Sequence, residues 1–331
     1  MVNVAFELGN QVQEKLEFSE NIDSIQYDSL LIMGMGGSGV SGDVLSLLSN
    51  EVSSKKITVR KSYSIPKKIM EVKPFCLFIS YSGNTEETLS GLNDAIKNNL
   101  DWAVISSGGK LIDFAIEHNK EYIKIPDGLQ PRAAFGYLTQ AVCKVVDIVE
   151  GTNFLKELRD VGNYLNEILN EEEDSEIFIE AKKIAKQINK KTCIIYGGTD
   201  LTELVASRWK TQINENAKSK AFVGSMPEVH HNEILSWDAD VEGSKSNYVL
   251  ILLRDNSENS QIAKRFDLTQ KLLGEKVEIF NIEPKSQSTT LIKLMELVLL
   301  GDLFSISLAN ELNMIPEDIE GIENLKKLLE G

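Results

Sequence analysis

Residues Phe78 to Thr88 read F-I-S-Y-S-G-N-T-E-E-T, and the hydroxyls in this run are spaced for binding an anion. An apolar, β-rich run from Cys76 to Ile79 leads into a loop holding Ser80, Ser82, Gly83, Asn84 and Thr85. A helix pattern follows at once, with Thr85 at the N-cap position and Glu86 and Glu87 in the first turn. The start of a helix offers orphan N–H groups and a partial positive charge, so hydroxyls gathered there suit a phosphate dianion. One Ser or Thr would only cap the helix. The run S-x-S-G-N-T straight after a buried strand points to phosphate binding.

A second loop, G-M-G-G-S-G from Gly34 to Gly39, also follows a strand and precedes a helix. Gly34, Gly36 and Gly39 satisfy the G-x-G-x-x-G spacing of a dinucleotide fingerprint. The acidic residue that an NAD ribose needs is missing, because the second strand ends in Arg60, Lys61 and Ser62. Arg60 can meet a 2′-phosphate, which keeps an NADP-dependent oxidoreductase as an alternative. Gly37 and Ser38 lie in the same loop, where small residues allow a sugar hydroxyl close to the backbone. No G-x-x-x-x-G-K-S/T occurs, which excludes a nucleotide-phosphate loop of that type.

Proton-transfer candidates are few. The three histidines are His118, in a polar stretch, and the adjacent pair His230 and His231 in M-P-E-V-H-H-N-E-I. Neighbouring histidines point in different directions and no third lies near in sequence, a poor ligand pattern for a metal. A single histidine suits proton transfer, since its ordinary pKa lies near neutrality. Glu215 sits between Asn214 and Asn216, where the helix pattern Leu201 to Ile213 loses its apolar face. A carboxylate held between amides can act as a general base, with Glu228 and Glu233 as competitors. Arg132 follows Pro131 where small residues open a helix. A guanidinium there opposes the helix dipole, which suggests a counter-anion.

These groups belong to a chain of 331 residues with 42% hydrophobic content, enough for two α/β domains. Thirty-five basic against 50 acidic residues give a formal charge of −15, so no basic stripe is available for nucleic acid. Cys76, Cys143 and Cys193 each lie in an apolar run without a C-x-x-C pair, as buried thiols in a reducing compartment do. No signal peptide is expected at the N-terminus. Leu291 to Leu308 is interrupted by Lys293, Glu296 and Asp302, so it is expected as a core helix with a turn, not a membrane span. A soluble cytoplasmic protein is expected.

Strands are expected at Leu30 to Met33, Ile57 to Arg60, Cys76 to Ile79, Ala103 to Ile105 and Tyr122 to Ile125. Helices are expected at Ser41 to Leu48, Glu86 to Ile96, Leu111 to Glu117 and Gly136 to Val149. Alternation of this kind implies a parallel sheet covered on both faces. The order restarts with a strand from Thr192 to Tyr196 and a helix marked by Leu201, Leu204, Val205, Trp209 and Ile213. Phe222 stands at the second-strand place. Strands Tyr248 to Leu253 and Val277 to Ile282 follow, and Leu291 to Leu308 closes the unit. The halves read as a duplicated α/β unit offset by roughly 160 residues. Between them, Phe154 to Asn189 reads as two helices around the solvated acidic run Glu171 to Glu176. Met1 to Asn21 reads as one amphipathic stretch with no helix-turn-helix segment.

Together these segments resemble the sugar isomerase (SIS) domain family, and within it the bifunctional phosphoglucose/phosphomannose isomerases. The resemblance rests on Gly34 to Asp43, Ser80 to Thr88, Pro131 to Tyr137, Asn214 to Lys218 and Pro227 to Ile234. It implies two tandem SIS domains of the α/β class, each a parallel sheet flanked by helices. Residues 1–152 would be the N-terminal domain with the phosphate loop Ser80 to Thr85. Residues 153–331 would be the C-terminal domain, with a helical connector over 153–190 and the segments Asn214 to Lys218 and Pro227 to Ile234.

By the same resemblance, Ser80, Ser82 and Thr85 hold the sugar phosphate and Gly37 and Ser38 line its pocket. Arg132 stabilises an enediolate, and Glu215 is the base. His231, immediately before Asn-Glu, is the catalytic histidine. A site lysine near the C-terminus matches Lys326, with Lys327 the weaker match. The implied activity is metal-independent and cofactor-free interconversion of glucose 6-phosphate and mannose 6-phosphate with fructose 6-phosphate. A homodimer with shared active sites is implied too, because the family's histidine often comes from the neighbouring subunit. Dual-specificity members carry a threonine shortly before the lysine, and this chain has none after Thr290. That departure bears on the mannose activity. A non-catalytic phosphosugar-binding regulator is the alternative class; the presence of both Glu215 and His231 weighs against it.

Overall fold

The computed structural model describes residues 1–198 and 200–330. The chain divides into a unit spanning Glu7–Asn166 and a second unit made of Met1–Phe6 with the chain from Glu167 onward. This division falls beyond the expected one at residue 152, because the helix Phe154–Ile168 packs with the first unit. There Gln13 donates to the Arg159 carbonyl at 2.9 Å and to Asn163 Oδ1 at 3.0 Å. Asn166 likewise donates to Asn10 Oδ1 at 3.0 Å. Met1–Phe6 goes with the second unit, where the Phe6 ring meets Phe178 edge-on at 5.5 Å.

Among the described residues the N-terminal unit holds six strands: β1 (Glu17–Phe18), β2 (Ser29–Gly34), β3 (Lys56–Arg60), β4 (Phe75–Ile79), β5 (Trp102–Ser106) and β6 (Glu121–Lys124). Their order is β1-β6-β5-β4-β2-β3. The neighbours from β6 to β3 are parallel, and β1 is antiparallel to β6. The expected all-parallel sheet therefore gains an antiparallel edge. The single amphipathic stretch expected over Met1 to Asn21 is instead two short helices, Val2–Phe6 and Leu8–Gln11, followed by β1. A two-residue strand shows no period; its register, Glu17 opposite Lys124, is set by its neighbour.

β4 and β5 are apolar runs because both faces of the sheet are covered. Leu31, Met33, Cys76, Phe78, Trp102 and Val104 pack with Leu92, Leu111 and Ala115 on one face. The other face meets the helix Gly36–Val52, where a side-chain carbon at Gly42 would lie 2.9 Å from Ile32 Cγ2.

The C-terminal unit repeats the plan with β7 (Thr192–Gly197), β8 (Ala221–Ser225), β9 (Tyr248–Leu253) and β10 (Glu278–Ile282), all parallel, in the order β10-β9-β7-β8. The closing helix runs from Thr290 to Glu311 without the expected turn. Lys293, Glu296 and Asp302 do not break it, because each is buried with a partner. Lys293 donates to Asp255 Oδ1 at 3.0 Å. Glu296 accepts the Lys285 and Ser286 amides at 2.7 and 3.0 Å. Asp302 receives two bonds from Arg208, at 2.9 and 2.7 Å, and one from Gln212 at 2.7 Å. Among the described residues no helix is long and apolar enough to cross a membrane. Burial pushes the Cys76 and Cys193 thiols up to about 12 and raises Cys143 well above the usual thiol value, so all three stay protonated and act as core residues.

Candidate active site

In the N-terminal unit the chain leaves β2 toward β3 and leaves β4 toward β5, on opposite sides. The crevice beyond the carboxyl ends of β2 and β4 is therefore the switch point where open α/β sheets bind ligands. The Gly34–Gly39 and Ser80–Thr85 loops both start there. Two local predictions need refinement. The glycine run is not a loop before a helix at Ser41 but the first turn of the helix itself, which starts at Gly36. Residue 37 packs closely, because a side-chain carbon there would lie 3.1 Å from the Pro131 carbonyl and 3.3 Å from Arg132 Cα. This contact brings the Pro131–Ala133 turn, with its buried Arg132, against the loop.

Thr85 does occupy the N-cap of the helix Glu86–Lys97, yet its side chain does not cap it. Its hydroxyl lies 2.8 Å from Ser80 Oγ instead. The first amides of the helix consequently take no bond from Thr85 and face the loop. Gly83 turns the loop with φ +69°, and a side chain there would sit 1.8 Å from the Gly108 carbonyl. Ser82 is exposed and its Oγ accepts the Asn84 amide at 3.3 Å. Buried Ser38 ties the two loops together by accepting the Tyr81 amide at 3.0 Å.

Sequence reasoning passed over Tyr81, which anchors this loop on every side. Its carbonyl accepts Ser107 Oγ at 2.7 Å, and its hydroxyl accepts the Leu129 amide at 2.9 Å. Burial is the main cause that raises its phenol pKa, so the hydroxyl stays protonated. Its position between two serines carried no signal, since only the fold shows which way it turns. Arg60 spends Nε on the Ser64 carbonyl at 2.9 Å and Nη2 on the Tyr63 carbonyl at 3.3 Å, within its own turn.

The corresponding loop of the C-terminal unit, after β9, has the opposite character. It contains Asp255 and Glu258, and its acceptors are taken by the protein's own cations. Lys293 binds Asp255 Oδ1 and Asn256 Oδ1, and Arg254 binds Glu258 at 2.8 Å. Both units share the switch-point strand order, with hydroxyls in the loop after β4 where the loop after β9 carries carboxylates.

Glu215 is half-buried in the last turn of the helix Asp200–Asn216, not beyond it. The flanking amides secure that helix end: Asn214 donates to the Ser219 carbonyl at 2.8 Å and Asn216 to Ser305 Oγ at 2.9 Å. Lys218, at φ +52°, extends the brace by donating to the carbonyls of Asn216, Ile315 and Pro316. Sequence reasoning missed this brace, and beneath it the buried Arg208–Asp302–Gln212 cluster on the same helix.

The two histidines differ sharply. His230 is half-buried; its Nδ1 lies 3.2 Å from Arg265 Nη1 and its Nε2 lies 2.7 Å from Thr269 Oγ1. Arg265 can only donate, so Nδ1 accepts and the proton sits on Nε2. Burial first, then Arg265 and His231, lower its pKa and hold it neutral. His231 is exposed. Asn232 stabilises the segment by accepting the Glu233 amide at 2.6 Å and donating to Glu228 at 2.8 Å.

The C-terminal unit does not bring Glu215 and His231 together. The segment carrying His231 packs through Met226, Val229 and Trp237 against Tyr196, Leu250 and Leu252, which share one face of the sheet. The helix carrying Glu215 packs with Thr290–Glu311, where Trp209 Nε1 donates to the Leu297 carbonyl at 2.8 Å. A right-handed crossover from β7 to β8 puts that pair over the other face, that of Cys193, Ile195, Val249 and Ile251. Lys326 and Lys327 are both exposed on the helix Glu320–Glu330, which does not choose between them.

Known proteins resemble this chain in sequence and in fold. A family model described as the bacterial phospho-glucose isomerase C-terminal SIS domain matches residues 179–329. The solved C-terminal domain of glucosamine-fructose-6-phosphate aminotransferase from Francisella tularensis superposes with a TM-score of 0.73 at 12% identity, over 96% of this chain and 97% of that one. The fold is thus that of the SIS phosphosugar proteins. A bifunctional phosphoglucose/phosphomannose isomerase from Aquifex aeolicus is 34% identical over 93% of this chain and 92% of its own length. One from Caldicellulosiruptor bescii is 32% identical over 99% and 98%. With such identity along nearly its whole length, the chain belongs to the bifunctional phosphoglucose/phosphomannose isomerase family.

Proposed function

We propose that this protein is a cytoplasmic, metal-independent isomerase that interconverts glucose 6-phosphate and mannose 6-phosphate with fructose 6-phosphate through a cis-enediolate. The observation that carries the reading is the N-terminal switch-point cradle, where the Ser80–Thr85 hydroxyl pair and the start of the helix Glu86–Lys97 meet the Gly37–Ser38 turn. Ser80, Ser82 and Thr85 hold the 6-phosphate. His231 and Lys326 move a proton between ring oxygen and the C1 hydroxyl to open the sugar. Glu215 takes the C2 proton and returns it to C1, and Arg132 supplies fixed positive charge where the oxyanion develops. C2 is planar in the intermediate, so one base serves both epimers. The missing threonine near Lys326 leads us to expect faster turnover of glucose 6-phosphate than of mannose 6-phosphate.

The active form is a homodimer in which His231 serves the partner's substrate. Placement of Glu215 and His231 on opposite faces of one sheet supports this, as does the exposure of Leu235 (69%) beside His231. The test is to incubate the purified protein with fructose 6-phosphate in EDTA, without nicotinamide, and assay both aldoses. Glu215→Gln should stop the reaction while retaining the inhibitor 5-phosphoarabinonate. Activity that needs zinc, or that needs NADP, would sink the mechanism.

A further inference from the structure

The short turn that carries Arg132 is held at both ends by side chains from other elements. Tyr81, 5% exposed, reaches over from the phosphate loop, and its Oη accepts the Leu129 amide at 2.9 Å, three residues before Arg132. Gln11, 2% exposed, reaches in from the helix Leu8–Gln11. Its Nε2 donates to the Ala133 carbonyl at 2.9 Å, and its Oε1 accepts the Gly136 amide at 3.1 Å. Gln140, on the helix Phe135–Glu150, returns the contact by donating to the Val12 carbonyl at 2.8 Å. A side-chain carbon at Gly136 would lie 2.5 Å from Gln11 Cβ, so the two backbones meet closely here.

Taken singly, each bond meets the ordinary need of a buried backbone group for a partner. Together they bracket one cation. A guanidinium on an exposed side chain could swing to make up for a displaced backbone. At 4% exposure Arg132 is confined by packing, so a shift of its turn moves the charge with it. A charge that stabilises a developing oxyanion must be held within a fraction of an ångström. Misplacement by about 1 Å costs about 10²-fold in rate.

We propose that Tyr81 and Gln11 are positioning residues for the isomerisation, setting where Arg132 stands relative to the substrate's phosphate. Their role rests on the reading of Arg132 as the group that stabilises the enediolate. Tyr81 joins the two halves of the site. Its backbone belongs to the phosphate loop, where its amide donates to Ser38 Oγ at 3.0 Å and its carbonyl accepts Ser107 Oγ at 2.7 Å. Its hydroxyl belongs to the Arg132 turn. Gln11 acts from 122 residues before Ala133, outside every motif named above.

Tyr81→Phe keeps the ring and both backbone bonds and removes only the hydroxyl. In the full-length protein it should lower kcat on glucose 6-phosphate about tenfold, with KM unchanged because the phosphate contacts remain. Gln11→Met loses two bonds at similar volume and should lower kcat further, by about 10²-fold. Neither change should reduce kcat again in an Arg132→Ala background, because a residue that acts through another loses its effect along with it. Tm of every variant, with kcat measured well below it, separates misplacement from unfolding. Unchanged kcat in either variant, whatever its loss of Tm, would overturn that residue's assignment. A rise in KM that accounts for the whole fall in kcat/KM would do the same, as would an undiminished loss of kcat in the Arg132→Ala background. Wild-type kcat in Arg132→Ala alone would refute the role of Arg132 itself, and both assignments with it.

Discussion

Mixing two inactive variants tests whether Glu215 and His231 of one chain serve the same substrate molecule. Glu215→Gln keeps the side chain's size and removes the base, and His231→Ala removes the proton shuttle. Each alone should lower kcat on glucose 6-phosphate by about 10²-fold or more. Within the C-terminal unit the two residues lie on opposite faces of the β10-β9-β7-β8 sheet, so a site drawing on both takes them from two copies. Equal amounts after full exchange give about half mixed dimers, following the statistics of a twofold assembly. In a mixed dimer both intact groups meet in one site and both substitutions meet in the other. Half of the dimers with one working site of two should restore about a quarter of wild-type activity per chain. The assay is aldose-to-fructose 6-phosphate turnover after subunit exchange verified by native mass spectrometry. If mixed dimers form and activity stays at the level of the single variants, both groups act from one chain and the shared site is wrong.

Four further expectations follow from specific contacts. Ser80→Ala with Thr85→Ala should raise KM for glucose 6-phosphate far more than it lowers kcat, each lost bond to the charged phosphate costing about 1.5–3 kcal/mol; an unchanged KM would place the phosphate elsewhere. Gly83→Ala forces a side chain into a φ of +69° and against the Gly108 carbonyl, so it should lower Tm and raise KM together, with backbone strain alone costing about 1–2 kcal/mol. Asp302→Asn leaves the buried Arg208 guanidinium without its carboxylate and should cost about 3–5 kcal/mol in chemical denaturation. The apolar pair Arg208→Met with Asp302→Leu should recover most of that loss. His230 has a folded-state pKa below the ordinary 6.5, so the unfolded chain binds the proton more readily. Its contribution is fully favourable above 6.5 and is lost as pH falls from there through the folded pKa. His230→Asn should therefore flatten the difference in stability across that window while retaining most activity; equal damage from His230→Asn and His231→Ala would mean the proton shuttle was assigned to the wrong ring.

Much of the plan is local and can be read from residues in order. Cys76 to Ile79 and Tyr248 to Leu253 are apolar because both faces of each sheet are covered, so composition alone marks them as strands. S-x-S-G-N-T fixes a strand-to-helix turn with hydroxyls at a helix start, since the glycine, the N-cap and the first-turn acids all act within a few residues. What depends on distant partners was not legible. Lys293, Glu296 and Asp302 look like breaks in an apolar helix until Asp255, the Lys285 amide and Arg208 arrive to neutralise them. Thr85 reads as a helix cap until Ser80 takes its hydroxyl. Trp237 gives no hint in the sequence that its indole would be buried unpaired. Glu215 and His231, sixteen residues apart along the chain, look like partners, yet β8 intervenes and carries them to opposite faces of the sheet. Residue type sets what each group can do, because that is fixed by its own atoms. Which groups meet depends on strand order and crossover hand, and those are settled only by packing.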